Sequence, residues 1–186
     1  MAKQAIKKKP WSVILNEQKS RKYESEREVV SQLVDALRIR VEELDRDCND
    51  LRAKGADVFF ANFLEFQNHA SESLTFLIII ERKLKSLIRQ DREELKRSFD
   101  DLSFAVWSIV LKGSLFYIGT IAEEVSLPVG SREIFIRELR TLHEAHQQMS
   151  RKRYRERNTE QTKTEIKKAE KILEVIIEKA PSLLAF

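Results

Sequence analysis

His143 and His146 stand three residues apart in the stretch HEAHQQMSRKRYRERN, which runs from His143 to Asn158 and also carries Arg151, Lys152, Arg153, Arg155 and Arg157. Histidine beside carboxylate can ligate a metal or move a proton near neutral pH, and clustered guanidinium and ammonium groups can hold phosphates. A zinc-protease helix needs His at i and i+4 around a Glu, whereas HEAH spaces its histidines three apart. Di-iron bundles use a Glu-x-x-His pair on each of two helices. Here the third histidine, His69, has Phe66 three residues before it. No metal and no cofactor is therefore expected.

Arg and His can also work together on an RNA phosphodiester. The spans RELRTLH and RTLHEAH set Arg137 ahead of His143 and Arg140 ahead of His146, the Arg-to-His spacing used by small helical, metal-independent ribonucleases of the HEPN type. Seventeen Arg in 186 residues produce such spacings by chance. Residues six apart on a straight helix also point about 120° away from each other. A ribonuclease is one alternative, and the first expectation is a non-enzymatic protein.

The five cations from Arg151 to Arg157 fall all round a helix when laid out at 100° per residue. A helix polar on every side is solvated, so the end of this element is expected to project beyond the fold. Projecting Arg151, Lys152, Arg153, Arg155 and Arg157 would suit phosphate contacts, with Tyr154 free to stack on a base. Lys7, Lys8 and Lys9 form a second basic run. Nucleic-acid binding is thus the other alternative.

The elements that would carry these residues are helical. Four Gly and three Pro among 186 residues, with 34% charged and 42% hydrophobic residues, fit long helices better than strands and turns. Val30, Leu33, Leu37, Val41, Leu44, Cys48 and Leu51 recur three and four apart, the seam of a helix packed on another, with Gly55 as its stop signal. Phe59, Phe63, Phe66, Ala70, Leu74, Leu77, Leu84 and Leu87 mark one face of a second helix. No Gly or Pro lies between Gly55 and Gly113. One unbroken helix over that span would reach about 85 Å, so a turn is predicted between Arg89 and Asp101, with Asp91 and Ser98 as cap candidates.

The run from Leu102 to Ala122 holds one charge, Lys112. It is long enough to cross a bilayer, but a mid-span lysine costs about 2.5–3.5 kcal/mol on insertion scales and acids flank it on both sides. It is expected to be a central bundle helix, with Lys112 snorkelling to an edge or paired to a carboxylate. Pro128 and Gly130 punctuate the next break. A fourth helix is predicted from Arg132 to near Asn158, with Phe135, Leu139, Leu142, Ala145 and Met149 on its apolar arc and His146 packed inside that arc. A last amphipathic helix should stop at Pro181.

The fold expected is therefore all-α: a bundle of four to five long antiparallel helices, with the Phe59 and Ala122 helices innermost. Residues 1–22 would be a basic, flexible arm, 23–180 the bundle, and 181–186 an apolar tail. The formal charge of +4 is uneven, concentrated in the arm and in the Arg151–Arg157 stretch. That asymmetry permits an anionic partner. The lone Cys48 excludes an internal disulfide and suits a reducing compartment, and the N-terminus has too short an apolar run for a secretory signal. The expected location is cytoplasmic. The Phe-rich helix and the Leu102–Ala122 helix offer more apolar surface than one small bundle hides. Self-association or a protein partner is expected, and a membrane is not.

Overall fold

The computed structural model describes residues 11–51, 56–123 and 131–183, with side chains placed for 24–51, 60–121 and 133–178. Lys7, Lys8, Lys9, Gly55, Pro128 and Gly130 lie outside the described residues. All regular structure among those described is helical: α1 (Trp11–Asp50), α2 (Ala56–Ser86), α3 (Arg89–Glu123), α4 (Ser131–Met149), the single turn α5 (Lys152–Arg155) and α6 (Glu160–Leu183). The helices pack into an all-α bundle.

Of the predicted α1 seam, Val30, Leu37, Leu44, Cys48 and Leu51 are buried, while Leu33 and Val41 are half-buried against the core and Val34, off the predicted spacing, is buried instead. Cys48 Sγ lies 3.9 Å from the carbonyl of Ile109. The helix starts earlier than predicted, because residues 11–22, expected as flexible arm, are helical backbone. Pro10 disfavours helix only for Lys9 before it and suits a helix that begins after it.

The centre of the bundle is α3. It touches α1, α2, α4 and α6 and buries Val106, Trp107, Val110, Leu111, Tyr117 and Ile118. By length and composition it is the one described helix able to cross a membrane, yet here that apolar run is the shared wall of four helix pairs. Lys112 reaches the edge as expected, although its partner is an amide: Nζ donates to Asn49 Oδ1 at 3.3 Å. Small residues allow the close packing. A Cβ on Gly113 would stand 2.2 Å from Cζ of Phe66, so only glycine lets α2 lay that ring against α3.

The α2–α3 turn falls at Leu87 and Ile88, just before the predicted window, and neither Asp91 nor Ser98 caps it. Leu84 and Leu87 are both buried, and the Leu87 N–H bonds Leu84 O at 3.3 Å in a tightened last turn. Burying both leucines sets the break. Asp91 sits instead in the first turn of α3, where the helix dipole favours an anion. Contrary to expectation, α2 is a flank and not a centre: it packs on α1 and α3 and leaves Leu64, Ile78 and Ile79 exposed.

Thr159 opens α6, accepting the N–H of Thr162 at 3.2 Å on Oγ1, a side-chain cap of the usual kind. α6 covers α3 and α4 and runs past Pro181 to Leu183.

Candidate functional site

The basic stretch does not project. α4 stops at Met149, nine residues short of its predicted end, and the chain tightens through Ser150 N–H to His146 O at 3.0 Å and Arg151 N–H to Gln148 O at 3.1 Å. Arg151 is then extended and α5 follows as one turn. Tyr154 anchors that turn. It is 1% exposed, its hydroxyl lies 2.6 Å from Ser103 Oγ, and its ring tilts against Phe104 with centroids 5.7 Å apart. Burial holds its phenol above the usual value. Tyr154 was expected as a stacking surface for a base, but an aromatic ring buried in α3 offers no face to a ligand. Spacing alone could not show this, because a lone aromatic among cations has no periodic pattern.

Burying Tyr154 sorts the surrounding cations. Arg157 Nη1 bonds Asp101 Oδ1 at 2.5 Å, and Arg155 Nε donates to Ser150 O at 3.2 Å. Arg153 lies over the Tyr154 ring, 4.5 Å from its centroid. All five cations, Arg151, Lys152, Arg153, Arg155 and Arg157, remain exposed, and Arg151 and Arg153 line different clefts on the two sides of α5.

The histidines and their arginine companions also separate. His143 is exposed, with Nε2 3.3 Å from Gln147 Nε2. It lines an open groove of about 760 Å³ between α4 and α6 together with Arg140, Arg151, Ile136, Leu139 and Ile177. His146 is half-buried on the neighbouring face. Arg137 turns the other way, toward α2, where Nη2 donates to Gln67 Oε1. Arg137 and His143 therefore line different clefts, and Arg140 shares its groove with His143, not with His146. Among the described residues no three His, Cys, Asp or Glu side chains gather as metal ligands.

A site that the spacing arguments passed over lies beneath Arg137. Glu138 is 1% exposed. Gln67 Nε2 donates to its Oε2 at 2.6 Å and Ser114 Oγ donates to its Oε1, so three helices meet on one carboxyl group. Burial pushes Glu138 above the usual carboxylate value, while the Ser114 and Gln67 hydrogen bonds and the Arg137 charge oppose the rise. Tyr117, stacked on Phe63 at 3.9 Å, is pushed up to about 12 by burial first and by Glu138 second. A cleft of about 360 Å³ reaches this cluster between Gln67, Ser71, Arg137 and Thr141. One signal was available: Phe135, Glu138, Leu142, Ala145 and Met149 recur three and four apart, which places the carboxylate on the apolar seam of α4.

The chain matches no protein-family model, and neither the curated proteins nor the solved structures give a match.

Proposed function

We propose that this chain is a non-enzymatic assembly protein that associates with further copies of itself through helix–helix contacts. The observation that carries this reading is the α4–α6 groove, whose apolar side chains Ile136 and Ile177 are 43% and 67% exposed and are flanked by two cations, Arg140 and Arg151, with His143 and one acid, Glu144. Two such grooves meeting face to face would set Arg140 and Arg151 against their own copies, so a two-fold contact of the groove with itself is disfavoured.

The complement is on α1. Glu28, Asp35, Ile39 and Glu42 follow one another seven, four and three residues apart, and this stripe faces solvent. Ile39 is 59% exposed, and Arg38, paired to Asp35 at 3.1 Å, lies beside the stripe. An apolar centre edged by carboxylates fits an apolar groove edged by cations. The contact is head-to-tail, so it builds rings or filaments, not closed pairs.

Light scattering and sedimentation across concentration test this. The parent should self-associate, more weakly at high salt. Ile39→Asp and Ile177→Asp should each be monomeric alone, yet form a one-to-one pair when mixed, since each retains the surface the other lacks. A parent that stays monomeric at every concentration, or variants that associate like the parent, would sink the proposal. Tyr117, Glu138 and the His143 groove give no arrangement of nucleophile, base and oxyanion donors within reach of one another, so assembly is preferred over RNA cleavage. RNA turnover abolished by replacing His143 and His146 together would reverse that preference.

A further inference from the structure

Two basic segments distant in sequence converge at one corner of the bundle. The last turns of α2 and the first turns of α3 carry Arg82, Lys83, Lys85, Arg89, Arg92, Lys96 and Arg97, and α5 carries Lys152, Arg153 and Arg155. Lys85, Arg92, Lys96 and Arg153 share one cleft of about 320 Å³ with Glu81, Glu93 and Asp100. Four cations thus face three acids in the cleft, of which Glu93 is paired to Arg89 outside it, and the acids just beyond the cleft have partners of their own. Arg27 of α1 takes Asp91 at 3.3 Å and Glu94 at 3.2 Å, Arg89 takes Glu93 at 3.2 Å, and Arg157 takes Asp101. Lys85, Arg92, Lys96 and Arg153 make no ion pair among the described residues. Arg153 is the hinge of this arrangement, because burial of Tyr154 swings α5 back against α3 instead of letting it project.

We propose that this corner binds the phosphate backbone of duplex nucleic acid. A surface of exposed guanidinium and ammonium groups from two segments suits the closely spaced phosphates of a duplex. A protein partner fits less well, since the cleft's apolar side chains, Leu84 and Phe99, are buried and cannot form the apolar centre of a protein interface. A single strand fits less well too. Its capture relies on aromatic faces for unpaired bases, and the aromatic rings here, Phe99 and Tyr154, are both buried. Contacts of this kind position the duplex without reading its sequence.

The test is binding of the full chain to short duplex DNAs of unrelated sequence, followed by fluorescence anisotropy across a salt series. Three to four phosphate contacts give a log–log slope of about −2.7 to −3.6, and roughly a hundredfold loss of affinity between 50 and 200 mM salt. Exchanging Lys85, Lys96 and Arg153 for Gln should flatten the slope by about 0.9 per residue and weaken every sequence alike. Exchanging Lys168 and Lys171, exposed cations of α6 on the far cleft, should leave the slope unchanged. Circular dichroism checks the fold, and Lys85→Gln with Lys96→Gln alone, which leaves the Tyr154 contact intact, serves if the triple variant unfolds. The proposal is overturned if the parent does not bind duplex, if both sets of exchanges weaken binding equally, if single strands bind more tightly, or if polyglutamate competes as well as duplex at the same residues. Duplex binding and self-association rest on different faces, so loss of one in its own variants with retention of the other separates the two readings.

Discussion

The hydroxyl of Tyr154 lies 2.6 Å from Oγ of Ser103, and both side chains are buried, so one hydrogen bond fastens the basic segment to the central helix. Tyr154→Phe should cost about 1–3 kcal/mol, because a buried Ser103 hydroxyl then loses this partner. Adding Ser103→Ala should recover much of that loss, since removing both partners is close to neutral. A double-mutant cycle in urea measures the coupling, and independent, additive effects would contradict the geometry.

Gly113 and Gly119 lie on the same helix and should respond oppositely to alanine. At Gly113 the new Cβ would meet the buried Phe66 ring at 2.2 Å, and that ring is itself tilted against Phe63, centroids 6.0 Å apart. Overpacking of this kind costs about 1–3 kcal/mol. At Gly119 nothing lies within 4 Å, and the helix should gain about 0.5–1 kcal/mol. Thermal melts of the two variants decide, and equal shifts would mean that Phe66 does not press on Gly113.

Glu138 makes stability depend on pH in a direction opposite to a salt-bridged carboxylate. Its folded value is raised by burial above the ordinary 4.5, so the protonated form favours the fold. The contribution is complete below about 4.5 and is lost as pH rises through the higher folded value. Glu138→Gln should remove that decline and be no less stable than the parent at neutral pH. Denaturation midpoints measured across pH check this, and an unchanged decline in the variant would assign it to another group.

His69 adds a second window. Its Nδ1 lies 2.5 Å from Asp47 Oδ2, and that hydrogen bond raises the imidazole above 6.5, with burial opposing. Stability from this pair is present below 6.5 and is lost as pH rises through the folded value. His69→Gln should remove the part of the decline above 6.5 that this pair contributes, and its effect should add to that of Glu138→Gln. NMR titration of the His69 ring should show the raised value in the parent and a return toward 6.5 in Asp47→Asn.

Thr159 caps α6 through its contact with the Thr162 N–H. Thr159→Ala should cost about 1 kcal/mol, and Thr159→Ser should restore it. A serine variant as weak as the alanine one would show that the methyl group, not the hydroxyl, matters.

The amino-acid order by itself determined the class of the fold and the faces of its helices. A 3.6-residue period reports which side of a helix sheds water, so the α1 seam and the apolar centre of α3 were legible before any packing was known. Helix ends were less legible. Leu87–Ile88 and Met149 end their helices where two buried side chains or an aromatic anchor outweigh local cap signals. Only tertiary packing decided the candidate sites. Tyr154 changed from an exposed ring to an anchor because Ser103 and Phe104, far away in the chain, supply its pocket. Glu138 became a three-helix junction because Gln67 and Ser114 arrive from two other helices. Lys85, Arg92 and Lys96 joined Arg153 only once α5 had folded back. Such convergence leaves no periodic trace, because it depends on distances between elements and not on spacing within one.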